Sequence, residues 1–237
     1  MRERSVFVIV KTLSVALLLI ASCVLTARGQ QVINVQFGDG GDTPLNGTAW
    51  SSTISPLSYS GTIWSEDYNY GNFGQTDLPY SNTGSSTVGY TLTGPSNLAN
   101  NDTFATLPIL QEIEYSYSGP LTLTISGLQN GQAYNLALDC AFNYADGSTF
   151  SITGSSPQSD TGANASSFIN GVNYVDFDSV VASDNEIVVT ISANGTGQDF
   201  ANLNGFQIEV APEPSTWAML FGGLGMLAFF VRRKLTA

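Results

Sequence analysis

The sequence predicts an all-β protein: an antiparallel β-sandwich carried between an N-terminal leader and a C-terminal membrane span. Three observations predict it. Apolar residues recur at every second position in short runs, clusters of Gly, Asn, Asp and Ser separate those runs, and helical periodicity is almost absent. A half-buried strand shows one face to a core and one to water, so a period of two is its signature. Two such apolar faces are satisfied by packing on each other.

Taken in order, Ile33, Val35 and Phe37 open the domain. The stretch from Asp39 to Asn82 is the least regular and reads as long loops carrying one or two strands. Asn101 to Gln111 has room for a turn or two of helix, limited by Pro108. Leu121 to Ser126 alternates without a slip, and Tyr134, Leu136, Leu138, Cys140 and Phe142 alternate with smaller or polar residues. Between these runs Asn130-Gly131 is a strong hairpin signal. Phe150 and Ile152 follow an Asp146-Gly147 turn, Ile187, Val189 and Ile191 form a later face, and Phe206, Ile208 and Val210 close the domain. Eight to ten short strands result, with Leu136 and Leu138 facing inward on a central one.

Charge narrows the chemistry. The chain has seven basic residues, and all of them lie in the first 28 or the last six positions. From Gln31 to Val210 there is no Lys, Arg or His, while of nineteen acids only Glu3 and Glu213 fall outside that segment. Such a surface repels nucleic acid, whose binding relies on cations that replace phosphate counterions. Triads that need an imidazole, Schiff bases that need a lysine and His/Cys zinc sites are excluded. Past the leader Cys140 is the sole cysteine, so no disulfide staples the exported domain.

Both ends read as targeting. Met1 to Gln30 has a basic start, an apolar run from Leu13 to Leu25 and small residues at Ala27 and Gly29, which predicts a signal peptide over 1–29. Ile20-Ala21-Ser22-Cys23 also fits a lipoprotein box, with Cys23 as the lipidated residue. At the other end, 215–231 holds no ionisable residue and as a helix spans roughly 26 Å, enough for a short membrane crossing. The basic tail at 232–234 predicts a cytoplasmic C-terminus. The sandwich domain is then 30–211 and the tail 212–237.

Pro212-Glu213-Pro214, an apolar stretch with Gly222, Gly223 and Gly225, and the closing Arg232-Arg233-Lys234 resemble the PEP-CTERM sorting signal. The resemblance implies an exported protein of a Gram-negative bacterium that makes exopolysaccharide. Its precursor would be anchored in the inner membrane and cut near the triplet by an exosortase-type enzyme, then reach the cell surface or matrix. An uncut membrane anchor is the plain alternative. The mature part, with "INVQFG", "TLTISGLQNGQAYNLAL" and "ANLNGFQIEV", is similar to galactose-binding-like jelly-roll domains. That implies neighbouring first and last strands, and a structural calcium.

Candidate sites follow from residue chemistry. Trp64, Tyr68, Tyr70 and Phe73 stand among Glu66, Asp67, Asn69 and Asn72, and sugars pack C–H faces on such rings while carboxylates and amides hold their hydroxyls. The same rings would serve to cap one end of the core. Asp39 and Asp42, with Asp176 and Asp178, are the carboxylates for a calcium shell of hard oxygens, or else solvated turn acids. Glu112 and Glu114 have the spacing of a glycosidase pair, which any exposed strand pair shares. The expected role is non-enzymatic: a structural or adhesive component of the surface or exopolysaccharide matrix. A carbohydrate-binding module is the alternative, and a carboxylate-based glycosidase a further one.

Overall fold

The computed structural model describes residues 32–37, 65–67, 73–80, 84–94, 97–100, 110, 112–142, 147–195, 200–211 and 222–226. The chain divides into two units, one made of Gln31–Ala211 and the other of Met1–Gln30 with Pro212–Ala237. In the second unit, residues 222–226 are helical and exposed. Among the described residues no helix is long and apolar enough to cross a membrane. The leader 1–29, and 215–231 apart from those five positions, lie outside the described residues.

The strands of Gln31–Ala211 are β1 (Val32–Phe37), β2 (Ser65–Asp67), β3 (Phe73–Gln75), β4 (Gly89–Thr93), β5 (Asn97–Asn100), β6 (Glu112–Ser116) and β7 (Leu121–Ser126). They continue with β8 (Ala133–Asp139), β9 (Ser148–Ile152), β10 (Gln158–Ser159), β11 (Tyr174–Val181), β12 (Glu186–Ala193), β13 (Ala201–Leu203) and β14 (Gly205–Val210). A five-stranded sheet has the order β11-β8-β14-β1-β2, a six-stranded sheet β10-β9-β12-β7-β4-β3, and a small third sheet β13-β6-β5. First and last strands are neighbours, Val35 opposite Phe206. All pairings are antiparallel except that of β1 with β2, a departure from the expected antiparallel sheets. A parallel pair needs a connection of a dozen or more residues, and the sequence places 27 between Phe37 and Ser65. The short β2, β3, β5, β10 and β13 carry the strand number beyond the expected eight to ten.

Alternation decides what is inside. Leu121, Leu123 and Ile125 of β7, and Val189 and Ile191 of β12, are fully buried, while Val188 and Thr190 face water. From the other sheet Val35, Phe37, Leu136, Leu138 and Phe206 meet them in one core. Rings cross the gap edge to face, with Tyr90 5.8 Å from Phe37 and 5.4 Å from Phe206 between centroids.

The Asn130-Gly131 signal gives a turn but no hairpin. Gly131 has the left-handed φ of 78° such a turn needs, yet β7 and β8 belong to different sheets. Both runs have an apolar face, and buried Leu128 sits at the crossover. They therefore bury those faces by stacking across the core instead of pairing edge to edge. At the same crossover Gly127 has φ 74°, and a Cβ there would run into the Thr87 carbonyl.

β8 ends at Asp139 rather than running on to Phe142. The backbone N–H of Ala141 turns to the Asn204 side-chain oxygen, at 2.6 Å. Leu136 lies between Ile208 of β14 and Phe177 of β11. Truncating it to alanine empties a site walled on every side, so Leu136→Ala is expected to cost about 2–5 kcal/mol. Chemical or thermal unfolding measures this, and an unmoved midpoint would mean that β8 is not a central strand.

Candidate functional site

Tyr115 and Tyr117 come together at a surface, packed on the buried rings of Phe142 and Phe200. Strand geometry supplies the first pair. Ile113, Tyr115 and Tyr117 follow one another at a spacing of two, so they share a face of β6 and its extension. Ile113 is sealed, Tyr115 half-buried and Tyr117 61 % exposed. Pairing of Ala201 with Ser116 sets Phe200 beside Tyr117. Phe142 arrives from the end of β8, fixed by its N–H to the Gly162 carbonyl at 2.9 Å.

The rings pack as a set. Tyr117 stands edge to face with Phe200 at 4.4 Å and with Tyr115 at 4.9 Å. Tyr115 stacks on Phe142 at 5.6 Å. The Tyr117 hydroxyl donates to that of Tyr115 across 3.2 Å. Burial, then the Tyr117 hydrogen bond and charge, then Glu114, push the Tyr115 phenol up to about 12, so the Tyr115 hydroxyl keeps its proton at ordinary pH. The result is a rigid aromatic floor with one ring standing in water. Its chemistry is adhesion to C–H faces, with phenolic oxygens for hydroxyl partners.

Beneath Phe142 lies a knot of buried acid. The Asp160 carboxyl oxygen Oδ1 accepts from the N–H groups of Ser148 at 3.1 Å and Gly162 at 3.0 Å. Burial drives its pKa up to about 7 against those bonds and that of the Cys140 thiol. Asp139 is fully buried, and neither of its carboxyl oxygens has a hydrogen-bond partner. Burial first, and Asp160 second, hold its pKa well above the ordinary range. The Cys140 thiol is likewise pushed up by burial, which makes it a packing residue. From Gln31 to Ala211 there is no Lys, Arg or His, so no basic side chain of the domain offsets these carboxyls.

The residues expected from sequence are placed differently. Trp64, Tyr68, Tyr70, Asp39 and Asp42 lie outside the described residues, and Phe73 begins β3 opposite Leu92. Asp176 takes a hydrogen bond from the Asn170 amide. Asp178 is exposed, within the irregularity in β11 between Phe177 and Val180. Among the described residues no three acids or cysteines gather as a metal shell. Glu114 is buried and Glu112 opens β6. A cleft of about 410 Å³ opens at the other end of the sandwich, between Tyr80, Tyr134, Leu128 and Glu209. Two of its polar groups are engaged, Glu209 with Asn135 and the Tyr134 hydroxyl with the Gln129 N–H.

Comparison with known proteins bears chiefly on the tail. Residues 210–234 match the PEP-CTERM protein-sorting motif. That motif is an exosortase recognition signal, so the protein is exported and its precursor is anchored in a membrane before processing. No curated protein matches the chain. Among solved structures, TmCBM61 in complex with β-1,4-galactotriose is similar at 8 % identity and a TM-score of 0.32, over 50 % of this chain and 86 % of that one. The CBM35 from Cellvibrio japonicus Abf62 is similar at 14 % identity and 0.30, over 50 % and 84 %. The Podospora anserina GH26-CBM35 β-(1,4)-mannanase gives 14 % and 0.33, over 52 % of this chain and 26 % of that one. Likenesses this loose establish no ligand.

Two outcomes are expected. Asp160 keeps its proton in the folded state to about pH 7, whereas the unfolded chain loses it near 3.8, so stability falls as pH rises through that window. Asp160→Asn keeps the Oδ1 acceptor and removes the titration, so its unfolding free energy should vary less between pH 5 and pH 8 than that of wild type. Parallel pH profiles for the two proteins would refute the assignment. Replacing Pro212, Glu213 and Pro214 by alanine should trap an uncut, membrane-bound precursor, because the hydropathy of 215–231 is unchanged. Intact mass and fractionation read this out, and a variant that matures like wild type would contradict recognition through the triplet.

Proposed function

We propose that this chain is a non-enzymatic, adhesive or structural component of the cell surface or exopolysaccharide matrix of a Gram-negative bacterium. It would hold saccharide with Tyr117 and the rings packed around it. One observation carries the reading: a ring as large as Tyr117 stands 61 % exposed on a floor of three further aromatic rings. A core needs no such residue, whereas a sugar ring needs a flat apolar surface with hydroxyls at its edge.

Position supports this. Register sets Asp139 beside Gly205 and Tyr134 beside Val210. Phe142 thus lies past one end of β8, while the chain leaves the domain at Ala211 past the other. Ala211, where the described domain ends, and the aromatic face thus belong to opposite ends of the sandwich. We read residues 1–29 as the signal peptide and 215–231 as the membrane helix of the precursor. The connections from β7 to β12, which change sheet at every step but the short one from β9 to β10, we read as a jelly roll.

Burial of Glu114 supports the non-enzymatic part, because a sugar in solvent cannot reach that carboxyl. A dedicated carbohydrate-binding module is the narrower form of this reading and uses the same face. The test is binding of the secreted protein to the exopolysaccharide of its own cells and to a neutral glycan array. Tyr117→Ala should weaken binding at least tenfold, about 1.4 kcal/mol, with the melting temperature unchanged. Equal binding by the two proteins would remove this face from the function.

A further inference from the structure

The aromatic face sits on a domain with no positive charge, and the two facts together select a ligand. Resting on the reading just given, we infer that the polysaccharide taken at Tyr117 carries protonated amino groups, as a de-N-acetylated hexosamine polymer does. Ring faces carry negative quadrupole density, and in most proteins Lys or Arg supplies the cation that lies on them. From Gln31 to Ala211 this chain has neither, and no His, so no side chain of the domain can fill that role or compete for it.

Field and contact act in the same direction. Seventeen of the nineteen carboxyls belong to this segment, since only Glu3 and Glu213 fall outside it. Their summed potential draws cations toward the surface and repels uronate, sulfate and phosphate groups over roughly 8 Å at physiological salt. An amino sugar offers both partners on one ring. The exposed Tyr117 ring takes its C–H face or its ammonium, and the ammonium donates to a phenolic oxygen, since Phe142 and Phe200 beneath are buried. Tyr115 and Tyr117 are joined through their hydroxyls, which sets two phenolic oxygens side by side as acceptors for an ammonium. A neutral N-acetyl sugar would keep the stacking and lose the electrostatic part. An acidic polysaccharide would meet repulsion with nothing to offset it.

The experiment uses protein purified as the cells secrete it, in 0.15 M salt, against three probes: polyglucosamine, its fully N-acetylated oligosaccharide, and polygalacturonate. Polyglucosamine should bind at least tenfold more tightly than the acetylated form, and polygalacturonate should not bind. Tyr117→Ala should cut polyglucosamine binding at least tenfold, while Tyr117→Phe, which keeps the ring, retains most of it. Equal affinity for the acetylated form, lost in Tyr117→Ala, would leave the saccharide face standing and overturn the amine. Polyglucosamine binding that ignores Tyr117→Ala and vanishes with added salt would mean attraction by bulk charge alone, and overturns the inference too. Failure to bind any of the probes, or the exopolysaccharide of the producing cells, would sink both readings together.

Discussion

Phe37, Tyr90 and Phe206 meet across the gap between the two large sheets, with centroids 5.8 and 5.4 Å apart, and that apolar seam carries the fold. No disulfide shares the work, because Cys140 is a free, buried thiol. Hydrophobic burial contributes roughly 25 cal/mol per Å² of apolar surface, so stability depends on closing the seam along its length. This explains why β7 and β8 stack rather than pair, and why β8 is flanked on both sides. Each strand is placed by where its apolar face can be hidden.

A domain without Lys, Arg or His must satisfy its buried polar groups by other means. On the far face of the five-stranded sheet Asn34 and Gln207 are buried and bond to each other at 2.7 Å. Beside them Asn135 donates to the Glu209 carboxylate at 3.0 Å and accepts from the Ser179 N–H at 3.1 Å. Amides here do what arginine does elsewhere: they bring donors to a carboxylate and tie strands across the sheet. Where no amide reaches, as at Asp139, burial raises the pKa and the group keeps its proton instead. The same absence of cations therefore shapes the interior and the outer field.

Strands announced themselves where one face is buried and the other wet, and the alternation of Leu121 to Ser126 and of Ile187 to Ile191 reads directly as β7 and β12. Sheet membership did not, because Asn130-Gly131 specifies a tight turn and says nothing of whether the flanking strands pair or stack. The aromatic face was half visible. Tyr115 and Tyr117 share a strand face just before a Ser-Gly-Pro turn, a signal that the outer ring would reach water. Phe142 and Phe200 join them only through long-range register, Ala201 opposite Ser116, which no local pattern contains. Glu114 shows the converse, a residue type suited to catalysis that tertiary packing puts out of reach.

The matched sorting motif occupies residues 210–234 and so begins where the last described strand of the domain ends. Ala211 still donates its N–H to the Ala133 carbonyl at 3.0 Å. Pro212 has no N–H to give, so the ladder has no donor to lose at that position. Glu213 and a second proline follow, a sequence poorly suited to continue a strand. A cut at or beyond the triplet separates the tail from a domain whose seam, register and aromatic face are already complete, and it takes away Arg232, Arg233 and Lys234. What remains from Gln31 onward carries acid alone. A cut at or beyond the triplet would therefore change the electrostatics of the protein as well as its address, because the part from Gln31 onward presents a field of one sign.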